Sequence, residues 1–113
     1  MDTKISDIEI ASKLLNLRNS ASTRNIEFDL TFNKVKQIMN TKRCYFTGVK
    51  LIQGNKDNLN DYNVLSFDRI DNSIGYIDSN VVACCQGFNK IKGNLSVIQI
   101  KQLYAGLLKK KVI

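Results

Sequence analysis

The sequence predicts an α+β domain with a minimal sheet, and three observations predict it. Apolar residues recur at helical spacing in the first forty residues and again after residue 96. Two short runs rich in β-branched or alternating residues, "VLSFD" and "VVACC", stand on either side of a polar loop. A single "QGFNKIKG" segment of helical character follows the second run directly. The expected organisation is one domain over residues 1–113. It divides into a helical N-terminal part (1–43), a strand–strand–helix core (44–95) and a C-terminal helix (96–113).

Each element has a local reason. In "ISDIEIASKLLNLRN", Ile5, Ile8, Leu14, Leu15 and Leu17 form a roughly helical pattern, with Asp7, Glu9, Lys13 and Arg18 mostly opposite. Ser6 followed by Glu9 is a capping-box pair. "NSASTRN" reads as a break or as a solvated continuation of that helix. Phe32, Val35, Ile38 and Met39 define a second helix, with Thr31 as its cap. "RCYFTGVKLI", interrupted by Gly48, reads as a knuckle or hairpin, and "QGNKDNLNDYN" as the most exposed loop. "NSIGYIDSN" is a second loop turning at Gly75. The short helix ends at Gly93, and Ser96 caps the last helix, which finishes in "KKK", where cations complement the carbonyl end.

The chain has 113 residues, 43% of them hydrophobic, which is enough for a modest core. Seventeen Lys and Arg against ten Asp and Glu give +7. Such a charge draws a small domain to polyanions, nucleic acid first and an anionic membrane surface second. No apolar stretch approaches the ~20 residues that cross a bilayer, and the N-terminus lacks the basic-then-apolar order of a signal peptide. A cytoplasmic location is expected, with no membrane partner. Cys44, Cys84 and Cys85 are an odd count, which argues against a disulfide framework. With no C-x-x-C pair and no histidine, buried thiols are expected rather than structural zinc.

The stretch from Val64 to Gly93 holds the chemistry. If its helix packs across its hairpin, Asp68 at the end of the first strand approaches Asn89 on the helix. Two oxygen ligands, with water and phosphate in the other positions, suit a hard divalent ion such as Mg²⁺ or Mn²⁺. Read one at a time, these residues have plainer roles. Asp68 and Arg69 are half of a surface ion pair, Asn72 and Asn80 are turn formers, Gly75-Tyr76 is a turn and a packing ring, and the lysines are solvated faces.

Taken in order, "FDRIDNSIGYIDSNVVACCQGFNKIKG" resembles the ββα-metal core of the HNH endonucleases. It is closest to a phage-associated branch with D-R-I-D, G-Y, N-V and N-x-x-K in succession. "CYFTGVKL" resembles the C-x-x-T-G knuckle of that branch, and "STRNIEFDLTFNKVKQI" is similar to the basic helix and F-x-L-T segment that precede it. The resemblance spans about residues 18–96. It implies a divalent-metal-dependent DNA endonuclease, of nicking or homing type and of phage or mobile-element origin.

The resemblance also implies roles. Asp68 and Asn89 are the metal ligands, and Asn80 ties down the loop between the strands. Arg69 stands where the family has its histidine base. Arg69, Lys90 and Lys92, with Arg18 and Arg24 of the N-terminal basic segment, would contact the backbone of double-stranded DNA. The family's zinc-binding cysteine pairs are absent.

Arg69 is the departure that matters. A histidine near pKa ~6.5 accepts a proton from water, whereas an arginine stays protonated and can only clamp phosphate. Asp71 is then the nearest substitute base and Tyr76 a poorer one; metal-bound hydroxide without a protein base is a third route. The missing histidine and zinc pairs keep a second reading open: a module that kept the fold and lost the chemistry. It would bind DNA or a host protein as a phage regulator or an inhibitor of host defence.

Overall fold

The computed structural model describes residues 4–113; the first three residues of the N-terminal segment lie outside the described residues. Helix α1 spans Asp7–Thr23 and opens on the Ser6–Glu9 capping box. It continues through the polar "NSAST" stretch and ends at Arg24. Its core-facing stripe is Ile10, Leu14, Leu17 and Ala21, positions that repeat at helical spacing. Ile8 and Leu15, assigned to the apolar stripe from sequence, face solvent instead. The helix turns Ile10 and the small Ala21 inward, both with no exposed surface.

Strand β1 is only Phe28–Asp29. Thr31 caps helix α2, Phe32–Met39, which buries Val35 and Ile38. The knuckle that follows is closed by an antiparallel bridge between Arg43 and Lys50. Gly48 holds its turn at φ 74°, a left-handed conformation that favours glycine.

Strand β2 (Leu65–Arg69) pairs antiparallel with β4 (Val81–Cys85), with Asp68 opposite Val82 and Arg69 opposite Val81. Between them lie β3, Tyr76–Ile77, and a 3-10 turn, Asp78–Asn80. β3 pairs with β1, not with the hairpin, and does so in parallel: Phe28 opposite Tyr76, Asp29 opposite Ile77. This second pair fastens the N-terminal part to the inter-strand loop. Gly75 permits it, because a Cβ there would come within 2.5 Å of the Glu27 carbonyl oxygen.

Helix α3 (Gln86–Lys92) leaves β4 without a linker and packs across β2 and β4. The architecture is thus mixed α+β, with helices before and after a ββα unit. Helix α4 (Val97–Lys109) starts on a second capping box, Ser96 with Gln99, and buries none of its residues. Among the described residues, no helix is long and apolar enough to cross a membrane.

Candidate nucleic-acid and metal site

Two periodicities meet where α3 crosses β2. Ser66 and Asp68, two residues apart on a strand, lie on one face, as do Asn89 and Lys92, three apart on a helix. The pairs join in register. Asn89 Nδ2 donates to Ser66 Oγ at 3.1 Å, and Lys92 Nζ lies 3.4 Å from Asp68 Oδ1 and 3.3 Å from Oδ2. Lys92 also donates to the Arg69 carbonyl at 3.2 Å and sits 5.5 Å from the centroid of the Phe46 ring.

Asp68 is 4% exposed and Lys92 1%. Burial pushes the Asp68 carboxyl above the usual carboxylate range; the Lys92 ammonium, and then the Arg69 charge, oppose that rise without cancelling it. Among the described residues Asp68 Oδ2 accepts no hydrogen bond, and the Lys92 ammonium at 3.3 Å is its ion-pair partner. A buried carboxylate oxygen is the donor type a hard metal ion takes, and here the Lys92 ammonium already stands beside it.

Asp68 and Asn89 line one cleft of about 340 Å³, together with Arg24, Arg69, Tyr76 and Lys90. The loop that forms its wall is fixed by Asn80. Asn80 Oδ1 accepts from the Asp71 amide at 3.0 Å, and its Nδ2 donates to the carbonyls of Asp71, Ile74 and Gly75. The same loop positions Arg69, whose Nη1 donates to the Asn72 and Ile74 carbonyls, each at 3.0 Å.

Tyr76 joins two guanidinium groups. Arg69 Cζ lies 5.3 Å from its ring centroid, and Arg24 Nη2 donates to its hydroxyl at 2.7 Å. Arg24 reaches this cleft because β1 pairs with β3 immediately after α1 ends.

Three residues singled out from sequence lie elsewhere. Asp71 is outside the cleft and faces a recess with Ser96, Val97 and Ile98 at the start of α4. Its carboxylate accepts from the Ser73 hydroxyl and amide, and these bonds hold its pKa down. A substitute base at Asp71 is therefore turned away from the Asp68–Asn89 side. Arg18 is on the exposed face of α1 and is not part of the cleft wall. Lys92, expected to meet a phosphate, is sealed against Asp68.

Sequence reasoning missed two features. Lys92 reads from sequence as a phosphate contact, because N-x-x-K carries no signal that the lysine is buried. Tyr76 was read as a turn aromatic, and its two arginine neighbours come from sites 52 and 7 positions away in the chain.

A second donor set lies in the core. The sulfurs of Cys44, Cys84 and Cys85 all fall within 4.8 Å of one another, and those of Cys44 and Cys84 are 3.7 Å apart. Thr47 Oγ1 is 4.0 Å from Cys85 Sγ. Burial pushes the Cys44 thiol up, but hydrogen bonds from the Thr47 side chain and amide and from the Cys85 and Phe46 backbone outweigh it and bring it down to about 7. Burial and the neighbouring Cys44 push Cys84 far up. Of Cys44 and Cys84, Cys44 is thus the more readily ionised thiol.

No protein-family model matches the chain, and no solved structure matches it. It is similar to an uncharacterized 29.0 kDa protein in the dda-modA intergenic region of Enterobacteria phage T4. That match is 31% identical over 100 residues and covers 86% of this chain and 38% of the relative. It is also similar to an uncharacterized protein of Acanthamoeba polyphaga mimivirus, 32% identical over 77 residues, covering 68% of this chain and 13% of that protein. The chain thus spans well under half the length of either relative, and both relatives are viral.

Proposed function

We propose that the chain is an HNH-type DNA endonuclease module that uses a divalent cation, Mg²⁺ or Mn²⁺, held by Asp68 and Asn89. The observation that carries this reading is their placement: 21 positions apart in sequence, they line one basic cleft, and Asp68 presents a buried carboxylate whose close partner is itself a cation, the Lys92 ammonium. The bound cation would supply Lewis acidity and a more acidic water at a phosphodiester.

The chain's own residues provide the rest. Asn80 fixes the loop, the loop fixes Arg69, and Arg69, Arg24 and Lys90 neutralise the phosphate oxygens. The +7 charge favours backbone contact with double-stranded DNA in a host cytoplasm. The viral relatives are in keeping with a phage or mobile-element origin. The three thiols, closed within the core, serve packing in this reading and not structural zinc.

One observation favours the second reading, a binding module without turnover. The Lys92 ammonium occupies the space beside Asp68 that a cation needs, and the residue in the histidine's place is an arginine tied to loop carbonyls. Such a module would hold DNA or a host protein as a phage regulator or an inhibitor of host defence.

Supercoiled plasmid incubated with Mg²⁺ or Mn²⁺ separates the two. The endonuclease reading predicts nicking that is lost in an Asp68→Ala/Asn89→Ala double variant. Salt-sensitive plasmid binding without nicking favours the second reading. Nicking that survives in the double variant refutes the site.

A further inference from the structure

The cleft carries more positive charge than one phosphodiester can match. Arg24, Arg69 and Lys90 line it, and its carboxylate, Asp68, is already paired with Lys92 at 3.3 Å. A backbone phosphodiester brings one negative charge and two unesterified oxygens. A phosphomonoester brings roughly −1.5 to −2 at neutral pH and three such oxygens.

The donors tell the same story. A guanidinium has five N–H groups. Among the described residues Arg69 uses only Nη1 on the loop, which leaves Nε and Nη2. Arg24 spends Nε on the Ser20 carbonyl and part of Nη2 on the Tyr76 hydroxyl, which leaves Nη1. With the Lys90 ammonium, these remaining donors exceed what two diester oxygens accept and suit three monoester oxygens. The cleft is also crossed at one end. Asn72 on the loop donates to the Gly93 carbonyl and to Asn94 Oδ1 beyond α3, at 3.0 and 2.9 Å. These bonds tie the two walls together at that end of the cleft.

We infer that the cleft holds the phosphomonoester at the end of a nucleic-acid strand, or at a nick, in preference to an internal phosphodiester. This deepens the reading of the cleft as a nucleic-acid phosphate site and rests on it. Tyr76 is the positioning residue. It is 7% exposed, and one ring and hydroxyl set the places of both guanidiniums. The terminal phosphate has two sources, a 5′ or a 3′ end, and the chemistry of the clamp is common to both.

The test is fluorescence anisotropy with oligonucleotides of one sequence carrying a 5′-phosphate, a 3′-phosphate or only hydroxyl ends, with divalent ions chelated so that nothing is cleaved. One phosphorylated end binds about tenfold tighter than the hydroxyl-ended control, since a second charge-assisted contact is worth about that factor. The preference disappears in Arg24→Gln and in Arg69→Gln, and weakens in Tyr76→Phe, which keeps the ring and loses the hydroxyl that holds Arg24. Circular dichroism checks that each variant is folded. Equal affinity for all three oligonucleotides, or a preference that persists in both arginine variants, overturns the inference and leaves nucleic-acid binding standing. Failure to bind any of them removes both.

Discussion

Lys92 places its ammonium 3.3 Å from Asp68 Oδ2 inside the protein, where neither side chain has more than a trace of solvent contact. The pair welds α3 to β2, so the helix carrying Asn89 is fixed against the strand carrying Asp68. It also sets a competition, because a divalent ion at Asp68 must share or displace that ammonium. The same contact is therefore structural support for the site and its internal counter-charge.

Removing the ammonium should be expensive. Lys92→Met leaves the Asp68 carboxylate buried and unmatched, a change that costs about 3–5 kcal/mol. The carboxyl, already raised by burial, rises further when its opposing cation is gone. A group with a raised folded-state pKa loses its stabilising share as pH climbs through that value. The deficit of Lys92→Met should thus be larger at pH 7 than at pH 4 in urea unfolding. An equal deficit at both pH values would mean that lost packing, not charge, sets the cost.

Asn80 makes its contribution through the loop between the strands. Asn80→Ala strips a side chain that answers one backbone amide and three carbonyls. The expected loss is about 2 kcal/mol, together with weaker DNA binding, because Arg69 is held by carbonyls of that same loop. Unfolding and gel-shift measurements on the one variant check both effects.

The helix caps were legible because capping is local: Ser6, Thr31 and Ser96 all cap as their sequence neighbours dictate. So were β2, β4 and α3, whose patterns are short but bounded by turn residues. The β1–β3 pair was not, since two-residue strands carry no periodicity and their parallel pairing is set by tertiary contact. At the site, order along the chain was enough to propose that Asp68 and Asn89 meet. The burial of Lys92 and the clamp around Tyr76 depend on which face α3 presents and on where α1 ends, and neither is written in spacing.

Gly75 tests the β1–β3 junction. Gly75→Ala drives a methyl into the Glu27 backbone, where Tyr76 N also donates to Glu27 O at 2.8 Å. Because the obstructing atoms are main chain, relief requires β1 to separate, at a cost of about 1–3 kcal/mol. Arg24 should then lose its place beside Tyr76, which salt-dependence of DNA binding would register as a shallower slope.

Cys44 gives the core its own pH signature. Its thiol, near 7 in the fold, lies below an unfolded cysteine at about 8.5. A depressed folded value stabilises above the unfolded pKa, and that share is lost as pH falls through the folded value. Wild type should gain stability relative to Cys44→Ala between pH 6.5 and 8.5, read from urea midpoints. A difference that stays constant across that range would place the thiolate elsewhere.

Diffraction from crystals soaked in Mn²⁺ reaches the central claim most directly. The account predicts an anomalous peak within bonding distance, about 2.0–2.6 Å, of an Asp68 carboxylate oxygen and the Asn89 amide oxygen, with the Lys92 ammonium moved off Asp68. Saturating Mn²⁺ with no peak in the cleft and the Lys92–Asp68 contact intact would contradict it.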